Sequence, residues 1–282
     1  MEYQLSIIIP TCNRHDSLTR AIDSVLYQGL DKIEIVIVND GDNEIPKTIT
    51  DLYSSHLFIL FINNSSNRGA ANARNFGVEN SHGLYISFLD DDDVYLPGRL
   101  INMMAVMVNE NYVFVSSGRF YEVGDFVEIH NAPCQYKGEI TLEDIKYGND
   151  IDIGFMISRI NFRSLGGFDP AYTNLEDWDF VIRMLRKGNG YKLGRLDYAV
   201  NINPNRKRVS TNDFIGHREI AEKYMTEFGM KWYLFTKAMA DRLENKLTFG
   251  KAVSYTLLSR SKLPLILYIK YKLQFIKKYS QY

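Results

Sequence analysis

Tyr85-Ile-Ser-Phe-Leu89-Asp90-Asp-Asp-Asp93 sets four consecutive carboxylates directly behind a short apolar run. The run has the length and the aromatic and β-branched content of a buried strand, so dense negative charge falls where that strand should emerge. In an open α/β sheet, ligands gather at the carboxyl ends of strands. Hard divalent ions bind there through carboxylate oxygens together with substrate phosphates. Alone, an acidic run is an ordinary solvated turn. Its company in the chain changes that reading.

Three similar runs precede it: Leu5-Ser-Ile-Ile-Ile9, Ile33-Glu-Ile-Val-Ile-Val38 and Leu57-Phe-Ile-Leu-Phe-Ile62. Helical patterns lie between them at about 18–27, 45–53 and 69–80, and another follows at about 97–110. Near-continuous apolar strands alternating with helices predict a mostly parallel α/β sheet with helices on both faces. From Tyr112 to about Asn203, strands mix with turns and read as antiparallel additions to that sheet. After about Asn212 the pattern becomes helical, with breaks expected at Gly229, Gly250 and Pro264. The expected division is an α/β domain over residues 1–211 and a basic helical C-terminal extension over 212–282.

The chain has 282 residues, 45% of them hydrophobic, enough for one large core with an appendage. Cys12 and Cys134 are too few for a disulfide framework, and no Cys/His cluster has zinc spacing. The first residues lack a basic-then-apolar leader, and the apolar run Leu263 to Ile269 is too short to span a bilayer. The expectation is cytoplasmic residence. A net charge of −1 conceals an asymmetry, because Lys231 to Tyr282 holds eleven Lys/Arg against two acids. Such a tail suits an anionic surface, or a helical appendage with a solvated basic face.

The other strands also end in polar residues suited to a nucleotide. They end in Pro10-Thr11-Cys12-Asn13-Arg14, in Asn39-Asp40-Gly41-Asp42 and in Asn63-Asn-Ser-Ser-Asn67-Arg68-Gly69. In a doubly wound sheet these ends share one edge, where a carboxylate can accept from a pyrimidine imide and arginines can meet a diphosphate. No G-x-x-x-x-G-K-[ST] loop is present, and Gly188-Asn-Gly190 lacks a third glycine, so it reads as a helix cap and turn. Downstream, Gly166-Gly-Phe-Asp169 leads to Leu175-Glu176-Asp177-Trp178-Asp179-Phe180 at the start of an amphipathic helix. Acids in a first turn offset the helix dipole. Three acids around a tryptophan also suit a site that holds a sugar ring and deprotonates its hydroxyl.

Taken in order, six blocks resemble the family 2 glycosyltransferases of the GT-A fold. They are Ile-Ile-Pro10-Thr-Cys-Asn-Arg14, Val38-Asn-Asp40-Gly-Asp42, Asn67-Arg-Gly-Ala-Ala-Asn-Ala-Arg74-Asn, Phe88-Leu-Asp90-Asp-Asp92-Asp, Gly167-Phe-Asp and Glu176-Asp177-Trp-Asp. The resemblance spans about Leu5 to Asn203 and implies inverting transfer of a sugar from a nucleotide diphosphate, usually a uridine one, to an acceptor hydroxyl. By position it implies that Pro10, Thr11 and Asp40 contact the nucleoside, with Asp40 on the base. Arg68 falls near base and diphosphate, and Arg14 is a weaker phosphate contact. Asp90 and Asp92 match the outer aspartates of the D-x-D motif. Asp90 then reaches ribose or donor sugar, Asp91 is counted with it among the nucleotide-sugar-binding residues, and Asp92 holds Mn²⁺ or Mg²⁺. Asp177 matches the catalytic base, with Glu176 and Trp178 lining the acceptor side.

The implied partners are a UDP-sugar and a glycan, glycolipid or glycoprotein acceptor, without nucleic acid. Three departures stand out. Cys12 replaces a frequent aromatic and is expected to pack as a small apolar residue. Asn39 replaces an acid. No histidine occurs in Asn201-Ile-Asn-Pro-Asn205-Arg-Lys-Arg-Val-Ser210, where Arg206 to Arg208, or the more distant His217, would have to substitute. The C-terminal helices lie outside the resemblance and suit either peripheral contact with the inner face of a membrane or packing on a second subunit. A nucleotide-sugar binder without catalysis, or a nucleotidyltransferase, are the alternative classes.

Overall fold

The computed structural model of the chain describes residues 3–64, 69–132, 136–151, 153–202 and 213–279. It divides into two compact units, Met1–Ala171 with Asp177–Arg206, and Tyr172–Glu176 with Lys207–Tyr282.

The first unit is built on a ten-stranded sheet. β1 (Leu5–Thr11) and β2 (Ile33–Asn39) are buried at every position, so both of their faces are covered. β3 (Ile59–Asn63) pairs parallel to β2, and β4 (Tyr85–Phe88) parallel to β1. Between these strands run α1 (His15–Leu26), α2 (Lys47–Leu52) and α3 (Ala70–Glu79), close to the periodic segments read from the sequence. The short β5 (Val94–Tyr95) and then α4 (Arg99–Asn109) follow the acidic run.

The second half adds β6 (Phe114–Val123), β7 (Glu128–Asn131), β8 (Gly138–Ile140), α5 (Leu142–Ile145), β9 (Met156–Ser158), α6 (Arg159–Ser164), α7 (Glu176–Leu185) and β10 (Gly190–Asn201). The order is β3-β2-β1-β4-β9-β6-β10-β5, with β7 on β6 and β8 on β10. The added strands are not all antiparallel. β9 runs against β4 and β6, but β6 and β10 pair parallel, joined by a crossover that carries α6 and α7. β1, β2, β3, β4, β6 and β10 therefore share one direction.

Two of the buried clusters in this unit bear on the candidate site. The Arg99 guanidinium lies 4.8 Å and 4.9 Å from the ring centroids of Tyr95 and Tyr198. It pairs with Asp197 at 2.9 Å and donates to Ser117 and the Gly154 carbonyl. The second cluster is aromatic. Phe168 sits 5.1 Å from Phe88 and 4.9 Å from Phe180, and Phe155 and Phe162 complete it. The strand leading into the acidic run and the helix carrying Asp177 are thus seated on the same rings. The turn before α7 needs glycine at 167, where φ is +67° and an added Cβ would meet the Asn75 side chain at 2.6 Å.

The second unit holds α8 (Asp213–Leu243), α9 (Phe249–Ser259) and α10 (Leu263–Tyr279). Gly229 interrupts α8 with φ 77° and ψ 171°. Gly250 and Pro264 instead fall in the first turns of α9 and α10, where proline costs no helical hydrogen bond. The chain leaves α8 at Asn245, in the left-handed region. Asn174 ties the Tyr172–Glu176 segment to α8, accepting from Gly216 N at 3.0 Å.

Candidate active site

Four strands deliver their carboxyl ends to one edge of the sheet. Thr11 stands opposite Asn39, and Asn39 opposite Asn63. The chain builds outward from β1 through β2 to β3, then returns to place β4 on the other side of β1, so this edge is the topological switch point. Pro10 lies past the last β1–β4 pair, Ile8 with Phe88, where a missing N–H leaves that ladder intact. The hydroxyl of buried Thr11 has no hydrogen-bond partner among the described residues. Cys12, contrary to the expected packing, is exposed. It precedes Asn13, whose φ of 55° turns the chain outward.

Asp40 gathers the neighbouring loops. It is buried, and its carboxylate accepts from Asn64 Nδ2 at 2.7 Å and from Gly69 N at 2.9 Å. The departure at Asn39 has a local cause. Its amide nitrogen donates to the Asn43 carbonyl and to Asn63 Oδ1, at 2.9 and 3.0 Å, which an aspartate could not do.

The four acids of the run have four different environments. Asp90 pairs with the buried Arg74 at 2.6 Å, and that guanidinium lies 5.8 Å from the Phe168 centroid. Asp91 is fully buried. Arg14 Nη2 approaches it at 2.7 Å, yet neither of its oxygens has an aligned hydrogen-bond donor. Burial pushes Asp91 up to about 7, against the opposing pull of Arg14 and the nearby Thr11 hydroxyl. Asp92 is 18% exposed and meets Arg14 Nη1 at 3.3 Å, while Arg20 Nη2 holds its backbone carbonyl at 2.9 Å. Asp93 is taken into the scaffold, accepting from Tyr198 Oη at 2.6 Å and Asn201 N at 3.0 Å. The edge therefore carries Pro10, Thr11, Arg14, Asp40, Asp90, Asp91 and Asp92. Arg68, the Asn203–Ser210 stretch and Cys134 lie outside the described residues.

Asp177 is half-buried in the first turn of α7, and Asn149 Nδ2 donates to its Oδ2 at 2.9 Å. Asn149 is in turn placed by its neighbour. Lys192, buried on β10, donates to the Asp150 carbonyl at 2.7 Å and its carboxylate at 2.5 Å, and Arg119 reaches the same carbonyl at 3.2 Å. Trp178 is not an exposed platform. The ring is buried and its indole nitrogen donates to the Ile145 carbonyl at 3.1 Å, which anchors α7. Asp179 is also buried, bound to Arg183 at 2.8 Å. In the second unit, Glu176 is half-buried and its charge acts on Asp213, whose pKa is raised by burial and then by Glu176. His217, in that unit, hydrogen-bonds the Asp213 carbonyl at 2.8 Å.

The run supplies hard oxygen donors of the kind that hold a divalent ion jointly with phosphates. Asp92 is partly exposed on the loop, and Asp91 is buried against Arg14. Among the described residues no group of three or more His, Cys, Asp or Glu forms a cage by itself. One or two carboxylates with substrate phosphates is the arrangement this donor set fits.

Comparison with known proteins agrees with this architecture. An uncharacterised glycosyltransferase of Haemophilus influenzae is 30% identical over 215 residues, 74% of this chain and 71% of that protein. One of Rickettsia typhi is 31% identical over 197 residues, and the match covers 66% of this chain and 60% of that relative's length. The Escherichia coli protein WfaP, named as a UDP-Glc:α-D-GlcNAc-diphosphoundecaprenol β-1,3-glucosyltransferase, is 29% identical over 186 residues, 65% of this chain and 71% of its own. Among solved structures, Staphylococcus aureus TarS 1-349 in complex with UDP-GlcNAc has a TM-score of 0.69 at 17% identity. It covers 89% of this chain and 75% of that one, and shares the GT-A fold with a C-terminal helical region. The sequence model of the family described as Glycosyl transferase family 2 matches residues 6–166, which is over half of the chain, and the chain belongs to that family.

Proposed function

We propose that this chain transfers a sugar from a UDP-sugar to a hydroxyl of a glycan, glycolipid or glycoprotein acceptor, with inversion at the anomeric carbon. The observation that carries this reading is the acidic loop at the β1/β4 switch point, where Asp92 stays partly exposed and Asp93 fastens the loop to β10. The donor named for the E. coli relative, and UDP-GlcNAc in the TarS complex, support the choice of UDP.

In this reading Pro10, Thr11 and Asp40 receive the nucleoside, with Arg68 near base and diphosphate. Asp90 and Asp91 serve the ribose and donor sugar. Asp92 would hold Mn²⁺ or Mg²⁺, which when bound neutralises charge on the departing diphosphate. Arg14 spans Asp91 and Asp92 and can meet the same diphosphate charge. Asp177 accepts the acceptor hydroxyl's proton while its oxygen bonds to the anomeric carbon, opposite the breaking bond to UDP. General-base help of this kind contributes about 10²–10⁴-fold. Asn149 holds the Asp177 carboxylate in place, and Trp178 acts from the core as the anchor of α7. Glu176 completes the acceptor-side assignment.

The test is incubation with a panel of UDP-sugars and Mn²⁺, measuring free UDP. At least one donor should release UDP with wild type and essentially none with Asp177→Asn. Pyrophosphate release would indicate nucleotidyl transfer, and UDP-sugar binding without release from any donor would indicate a binder.

A further inference from the structure

We infer that α9 and α10 form a docking face for an anionic lipid surface. Both helices are apolar on two sides. On the inner side, Ala252 and Leu267 pack with Ala238 and Leu247, supported by Phe235, Met239, Tyr255, Leu265 and Tyr268. That burial already holds the hairpin together. On the outer side, Leu257 and Leu258 of α9 are 72% and 66% exposed, and Ile266, Ile269 and Leu273 of α10 are 42%, 48% and 55% exposed. Leu257, Leu258 and Ile266 all lie within one helical turn of the connection at Arg260–Lys262. Ile266, Ile269 and Leu273 recur at i, i+3 and i+7 and so line one face. A helix that is apolar all round requires a cover on its second side.

Charge selects what that cover is. From Asn245 to Tyr282 the sequence has eight Lys/Arg and no Asp or Glu. Arg260, Lys262, Lys270 and Lys272 are exposed among the apolar residues. A second copy on this face would bring two basic segments together, whereas an anionic headgroup layer is complementary to them. A nucleic acid would satisfy the charge but leave the leucines and isoleucines in water. Alternating basic and bulky apolar residues is the pattern of helices that lie in the headgroup plane. No helix among the described residues is long and apolar enough to cross a membrane, so the contact is peripheral.

The full chain, mixed with vesicles of phosphatidylcholine alone or with phosphatidylglycerol added, reads this out by co-sedimentation. Binding should require phosphatidylglycerol and weaken as salt rises. Leu257→Glu/Leu258→Glu and Lys262→Glu/Lys270→Glu should each bind about tenfold less at unchanged melting temperature, because all four side chains are exposed. Equal binding to both vesicles, binding to neither, or undiminished binding of both double variants would overturn the proposal. A lipid-free dimer that Leu257→Glu/Leu258→Glu dissociates would also overturn it, assigning the face to a second copy.

Discussion

Asn149 sits in no motif, yet its amide reaches a carboxylate 28 residues away at the start of α7. Asn149→Ala should lower kcat by about tenfold or more, the scale of one hydrogen bond to a charged group, with UDP affinity unchanged. Asn149→Asp should cost more, since it sets a like charge against Asp177. A steady-state comparison with calorimetric UDP affinities checks both, and equal kcat in all three proteins would remove Asn149 from the mechanism. Asp40→Ala should weaken UDP binding by about 1.5–3 kcal/mol, because it removes an acceptor and releases Asn64 and Gly69 as well. Equal UDP affinity in the variant would rule the assignment out. Asp40 and the acidic run were legible in the sequence because each follows its strand directly. Asn149, Lys192 and the burial of Trp178 were not, because they depend on partners far along the chain. Cys12 was misjudged because its type suggested burial while its place, at a left-handed turn, exposes it.

Elements were readable wherever periodicity was strong. The four apolar runs became β1 to β4 nearly at the expected limits; β1 and β2, buried on both faces, leave least freedom of composition, whereas β3 at the sheet edge is only half-buried. The parallel β6–β10 pair escaped, because strand direction depends on a crossover that local pattern does not encode. In the C-terminal unit, Gly229 did interrupt a helix, but Gly250 and Pro264 mark helix starts. That unit has its own polar hub. Asp241 contacts Lys251 at 2.9 Å, Tyr255 Oη at 3.0 Å and Arg218 at 3.3 Å. Burial pushes the Asp241 carboxyl up, but Lys251, Tyr255 and Arg218 outweigh it and hold it below its ordinary value. The folded pKa is therefore below the unfolded one. The resulting stabilisation is present above about pH 4 and is lost as pH falls through the folded value. Asp241→Asn should destabilise the unit by about 1–3 kcal/mol at neutral pH, moderated because Arg218 and Lys251 are 40% and 43% exposed. Melting curves from pH 7 down to about pH 3 should show the wild-type advantage shrinking with acid. An advantage that stayed constant across that range would remove the hub from the account.

At the scale of the whole molecule, the chain is electrically divided. The first 230 residues hold 22 Lys/Arg against 32 acids, and the rest hold eleven against two. The acidic part carries the edge proposed for a doubly negative diphosphate, so binding there has to overcome like charge. Arg14 and Arg74 offset part of it within the site, and a divalent ion would offset more. Chelation should therefore abolish turnover and weaken UDP binding together, and turnover that persists in excess chelator would contradict the metal assignment. The most direct test is calorimetric titration of UDP into the full chain with and without Mn²⁺, for wild type and Asp92→Asn. The account predicts that Mn²⁺ tightens UDP binding to wild type by tenfold or more, about 1.4 kcal/mol, and that Asp92→Asn loses this gain while keeping its melting temperature. Equal Mn²⁺-dependent affinity in the two proteins, or no UDP binding to either, would contradict it.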